Sequence, residues 1–242
     1  MEKHNKNHPL IYCAVDTTDP ARAVDLAGIL MRTGCGLKLG LEFFSAHGPQ
    51  GVRTLRSQFP DLPLFLDLKF HDIPNTVAQA VRAVVLLGVS CLNVHATGGA
   101  EMMKAAVAAA REESARLGIN PPAVLAVTVL TSLDDAALAA IGQAGPAADQ
   151  VARLALLSRD SGMAGVVCSA HEIERLRAAC GADFILMVPG IRPAGSAAQD
   201  QKRTMTPAQA LAAGATHLVI GRPITQAPDP AAAIRAILSE AA

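Results

Sequence analysis

Eight short apolar runs, each followed by a longer Ala-rich stretch, constrain this chain more than any other feature. They are IYCAVD at 11–16, GLKLG at 36–40, LFLDLK at 64–69, CLNVHA at 91–96, AVLAVTVL at 123–130, GVVCS at 165–169, FILMVPG at 184–190 and HLVIG at 217–221. Runs of four to eight residues rich in Val, Ile and Leu are how strands buried on both faces read. The stretches between them have helical spacing; Val77, Ala80, Val81, Val84 and Leu87, for instance, form one apolar stripe. A βα unit repeated without a linker implies parallel strands with crossover helices. Eight such units in 242 residues predict an α/β fold, the (β/α)8 TIM barrel. An open doubly wound sheet is the competing architecture. The turn after its first strand would carry GxGxxG, and VDTTDP carries no glycine.

One domain is expected over residues 11–242, behind a flexible polar tail at 1–10. That tail, MEKHNKNHPL, has no apolar core of a secretory signal. The stretch from Thr131 to Gly162 is long for one unit and is expected to hold an extra short helix before Ala147. The stretch from Arg192 to Thr206 is poor in apolar residues and reads as a mobile loop after strand seven. Thr206-Pro207 then reads as an N-cap followed by Pro at the first helical position.

Composition narrows the function. Lys+Arg and Asp+Glu both number 21, so no overall field attracts nucleic acid or anionic lipid. With no Trp and one Tyr there is no platform for stacking bases. No apolar run approaches the length of a membrane span. The five cysteines are scattered and form no CxxC, as expected of reduced core residues in a cytosolic protein. Function must therefore rest on a local arrangement of charges.

That arrangement falls at the strand ends. Asp16 ends the first run, Lys38 lies near the end of the second, and Asp67 and Lys69 end the third. With a strand period of two, Asp67 and Lys69 share one side and Leu66 and Leu68 the other. If the leucines face helices, the charges face the axis, at the end of the barrel where active sites form. Asn93 and His95 have the same parity on strand four. A salt-bridge network that merely closes the mouth is the plainer alternative for any single pair. Four charges on three adjacent strand ends favour a site.

Across the mouth, the turns Pro189-Gly190-Ile191-Arg192 and Gly221-Arg222-Pro223 follow strands seven and eight, where barrels often hold phosphate. Glycine lets a backbone N–H approach an anion, and arginine grips phosphate through two donors. A ligand joining the two sides has its phosphate on Arg222 and its reacting part beside Lys69. His71-Asp72 is too small a set for a metal site.

DLKFHDIPNT, with Asp16 and Lys38 before it and GIRP and IGRP after it, resembles the orotidine 5'-phosphate decarboxylase family. NVHATGG and VTVLTS strengthen the likeness, which runs from about Ile11 to the C-terminal helix. The resemblance implies loss of CO2 from C6 of orotidine 5'-monophosphate, without metal or organic cofactor. It gives Lys69 the role of proton donor to C6 and places Asp67 beside the departing CO2. Lys38 and Asp16 orient the network and hold ribose hydroxyls. It also implies a homodimer in which Asp72 and Thr76 reach the neighbouring site. Thr131 reads the pyrimidine edge, Gln201 bridges base and phosphate, Gly221 and Arg222 grip the phosphate, and Arg192 is a further binding position in the turn after strand seven. Two rivals remain. A metal-dependent relative on the same barrel needs a carboxylate-rich rim, and a non-catalytic phosphate binder has no need of Lys69.

Overall fold

The computed structural model describes residues 10–143, 145–193 and 205–241. Eight parallel strands close into a barrel in sequence order: β1 (Ile11–Val15), β2 (Gly36–Leu39), β3 (Leu64–Phe70), β4 (Cys91–His95), β5 (Ala123–Val127), β6 (Gly165–Val167), β7 (Ile185–Pro189) and β8 (His217–Ile220), with β8 pairing back onto β1. The expected TIM barrel is the observed fold. The surrounding helices are α1 (Pro20–Thr33), α2 (Leu41–Gln58), α3 (Pro74–Val85), α4 (Gly99–Leu117), α5 (Asp135–Ala140), α6 (Ala147–Asp160), α7 (Ile173–Cys180), α8 (Pro207–Ala212), α9 (Arg222–Thr225) and α10 (Pro230–Glu240). The extra helix expected before Ala147 is α5.

Local chemistry starts these helices. Asp19, Thr206 and Asp229 each precede a proline at the first helical position, and each side chain accepts a backbone N–H of the first turn. Thr206 and Gln209 complete a reciprocal capping box, as TPAQ suggests. Among the described residues no helix is long and apolar enough to cross a membrane.

The core has two parts. Outward strand residues such as Cys13, Leu37, Leu66, Leu92 and Val188 pack against the helices. Inward residues, including Tyr12, Phe65, Cys91, Leu125 and Met187, plug the barrel. Fit is close at β6, where a Cβ on Gly165 would stand 2.2 Å from the Ile185 carbonyl oxygen. The charges sit above this apolar plug, at the C-terminal ends of the strands.

Two strand ends differ from the sequence expectation. The run 123–130 is strand only to Val127; Val129 and Leu130 continue the apolar pattern because they line a cavity. The end of β3 is irregular. Leu66 pairs with Leu92 and Phe70 with Val94, so three residues of β3 face one of β4. Lys69 there has φ +52°, the one positive φ outside glycine among the described residues.

Candidate active site

The charged rim is assembled from β1, β2 and β3. Lys38 lies between Ala14 of β1 and Phe65 of β3 in the barrel register. Its Nζ donates to Asp67 Oδ2 at 2.9 Å and stands 3.8 Å from Asp16 Oδ1. Lys69 Nζ donates to the other Asp67 oxygen, Oδ1, at 2.6 Å. Asn93 Nδ2 donates to that same oxygen at 2.7 Å. The charges thus alternate along Asp16, Lys38, Asp67 and Lys69. Exposure is least in the middle of the row: the Asp16 side chain is 56% exposed, that of Lys38 9%, that of Asp67 12% and that of Lys69 29%.

Burial alone would raise the Asp67 pKa. Lys38 and Lys69, with the hydrogen bonds from Lys69 and Asn93, outweigh burial and bring it to about 2. Asp67 is therefore an anion at neutral pH, held from three directions. Burial, with His71 and Lys69 nearby, lowers the pKa of half-buried His95, whose ring packs 5.4 Å from that of His71.

Asp67 and Lys69 do face the same way, but regular alternation is not the reason. The left-handed turn at Lys69 sends its ammonium back over Asp67. Such a backbone costs about 1–3 kcal/mol and persists only where surroundings impose it. A strained residue at a charge cluster points to a functional site.

The cluster forms one wall of a cavity of about 210 Å³. Lys38, Asp67 and Lys69 are on that wall; Val127, Val129, Val167, Pro189 and Val219 supply an apolar one, with Leu130 and Thr131 above. Low-dielectric surroundings strengthen fixed charges. Cys168 also lines the cavity, but burial pushes its thiol far above the usual range, which removes it as a thiolate nucleophile. A cavity of about 290 Å³ at the other end of the barrel, lined by Pro121, Pro122 and Ala123 among others, has Arg111 as its one charged residue.

Other expected site residues lie on other elements of the chain. Asp72 and Thr76 are exposed at the start of α3; Asp72 Oδ1 accepts the Ile73 N–H at 2.7 Å. Gly221 and half-buried Arg222 occupy the turn from β8 into α9, and half-buried Arg192 follows β7. The Arg192 N–H donates to the Met205 carbonyl at 3.0 Å. Gln201 lies outside the described residues, as does most of the expected loop from Arg192 to Thr206. Among the described residues no three His, Cys, Asp or Glu side chains are grouped to hold a metal.

Gly40, and what Asn93 binds, emerge only from the structure. A Cβ on Gly40 would lie 3.1 Å from Asp16 Oδ1 and 3.3 Å from Lys38 Nζ, so glycine leaves room for that contact. Its place two residues after Lys38 was the available signal. Alternation points Asn93 inward, but its two bonds to the β3 end are not readable from a sequence pattern.

A closed (β/α)8 barrel with a row of alternating charges beside a cavity at its C-terminal mouth defines a barrel enzyme. Residues 9–237 match the model of the Orotidine 5'-phosphate decarboxylase / HUMPS family, and the chain belongs to that family. It is 57% identical to an orotidine 5'-phosphate decarboxylase of Paramagnetospirillum magneticum over 230 residues, covering 95% of this chain and 97% of the relative. It is 54% identical to that of Moorella thermoacetica over 231 residues, 95% of this chain and 91% of the other. The crystal structure of orotidine 5'-phosphate decarboxylase from Lactobacillus acidophilus superimposes with a TM-score of 0.84 at 37% identity, covering 97% of this chain and 99% of that one. The enzyme class is that of the carboxy-lyases.

Proposed function

We propose that this enzyme converts orotidine 5'-monophosphate to uridine 5'-monophosphate and CO2, the last step of pyrimidine nucleotide synthesis, with no metal or organic cofactor. The observation that carries the reading is the Lys38–Asp67–Lys69 row, joined at 2.9 and 2.6 Å against an apolar wall. When the C6–carboxylate bond breaks, its electron pair stays on C6 in the ring plane, outside the π-system. Fixed positive charge at C6 is then the means of stabilising it. Lys69 supplies that charge, delivers a proton to C6 and regains one from solvent. Lys38 sits between Asp16 and Asp67, where a metal-dependent relative would need a cation, which favours the metal-free reading.

The remaining roles are those that the family resemblance implies. Asp16 and Lys38 hold ribose hydroxyls, and Thr131, at the cavity edge, reads the pyrimidine. Gly221 and Arg222 bind the 5'-phosphate, Arg192 adds a further substrate contact, and Gln201 bridges phosphate and base. Residues 11–242 work as one catalytic domain. Asp72 and Thr76 serve the site of a second protomer in a homodimer. Their exposure supports this, as does that of Ile73 between them, an apolar side chain 67% exposed. Four of the five cysteines are buried and all five are free, which suits a cytoplasmic setting.

The test follows the ultraviolet absorbance of orotidine 5'-monophosphate with purified protein and excess chelator, beside Lys69→Ala. Turnover by the parent and near-silence from a folded variant support the reading. Loss of parental activity with chelator sinks the metal-free mechanism. A folded parent that never turns over sinks the substrate assignment.

A further inference from the structure

We infer that Asn93 is a positioning residue of the reaction: its one buried amide fixes both the Lys69 backbone and the Asp67 carboxylate, and so sets where the ammonium points. The inference rests on the decarboxylase reading and deepens it.

The register creates the need. Leu92 pairs with Leu66 and Val94 with Phe70, leaving only Asn93 opposite residues 67–69. A strand with two surplus residues cannot keep its ladder bonds through that stretch. The Lys69 N–H is bound by a side chain instead: Asn93 Oδ1 accepts it at 2.8 Å. The other half of the amide, Nδ2, donates to Asp67 Oδ1 at 2.7 Å. Asn93 is 1% exposed, so solvent is a poor substitute for either bond.

The chemistry selects an amide. Asn93 must accept at one atom and donate at another in one plane, which a carboxylate or an aliphatic group cannot do at neutral pH. The Asp67 oxygen that Asn93 binds is the one that receives Lys69 Nζ. Asn93 thus holds the lysine at two points, through its own N–H and through its counter-ion. The charged and titratable groups around Asp67 are Lys38 from β2, Lys69 on its own strand and His95 further along β4, with Asp16 behind Lys38. Asn93 is the neutral member of the set.

The test compares the parent with Asn93→Ala and Asn93→Asp in the full-length protein. Asn93→Asp has nearly the same size and can still accept the Lys69 N–H, so it serves if Asn93→Ala does not fold. The expected result is a kcat lower by roughly 10- to 100-fold, with KM changed by less than about threefold. The acid limb of the kcat/KM profile should move to higher pH, further for Asn93→Asp, which sets a second carboxylate beside Asp67. Lower thermal stability with kcat and the acid limb unchanged overturns the inference. A turnover-independent readout is the 13C titration of the Asp67 carboxyl, assigned by its loss in Asp67→Asn. A parent that fails to turn over sinks the decarboxylase reading alone. The titration still decides on Asn93: a higher midpoint in the variants supports it, and the parental midpoint overturns it.

Discussion

The two sides of the barrel mouth are built by different means. On the β1–β4 side, side chains hold one another: Asp67 receives Lys38, Lys69 and Asn93 within 2.6 to 2.9 Å. On the β7–β8 side, the groups belong to backbone turns. Gly190 has a positive φ of 79°, Arg192 is tied through its N–H to Met205, and Arg222 opens the four-residue α9. The first side is held by its own hydrogen bonds, which suits electrostatic catalysis, since dipoles that must turn during reaction lose much of their effect. The second holds its arginines at chain turns, not in a row of paired side chains. On the proposed function the contrast becomes a division of labour: bond breaking on one side, retention of the substrate on the other.

Kinetics can break that division. The largest effect is expected for Lys69→Ala. Losing the proton donor and the charge at C6 together should lower kcat by about 10³-fold or more. A drop confined to KM would contradict the assignment of chemistry to this side. Next is the proposed sharing of sites between protomers. Lys69→Ala and Asp72→Ala chains, each inactive alone, should regain about a quarter of parental activity when coexpressed, because mixed dimers keep one intact site. Silence from folded mixed dimers would place Asp72 outside the neighbouring site. Arg222→Ala comes third. Loss of a charge-assisted phosphate contact should lower kcat/KM by roughly 10- to 100-fold, mostly through KM. Orotidine without its phosphate should be nearly indifferent to the same substitution. If Arg222→Ala instead lowers kcat as steeply as Lys69→Ala, the two sides are not separate.

The sides also differ in how far the sequence discloses them. The barrel was legible because strands buried on both faces read as unbroken apolar runs, with Thr206-Pro207 marking a helix start. Overrun at 123–130 shows the limit: Val129 and Leu130 are apolar because they wall a cavity, and periodicity cannot separate that from strand. Asp16, Lys38, Asp67 and Lys69 were legible because charges in apolar runs stand out. The left-handed Lys69 was not, since it depends on how many residues of β3 face Asn93, a property of pairing between segments. Asp72 and Thr76 were tied to the site only by family resemblance, because within one chain they lie past the strand, exposed at the start of α3.

The smallest effect concerns stability and tests whether the charged side is prebuilt at all. Asp67 has a folded pKa near 2, against an ordinary value of 3.8. A carboxyl whose pKa falls on folding stabilises the native state above its unfolded pKa, and that contribution disappears as pH drops toward the folded one. The difference corresponds to roughly 2 kcal/mol, for a side chain only 12% exposed. Asp67→Asn forgoes this term at every pH. The gap in urea-unfolding free energy between parent and variant should therefore be widest near neutrality and narrow by roughly 2 kcal/mol between about pH 5 and pH 2. A gap that stays level through that window would mean that Lys38, Lys69 and Asn93 do not hold Asp67 ionised. The row of charges would then need the substrate to order it, and the contrast with the β7–β8 side would disappear.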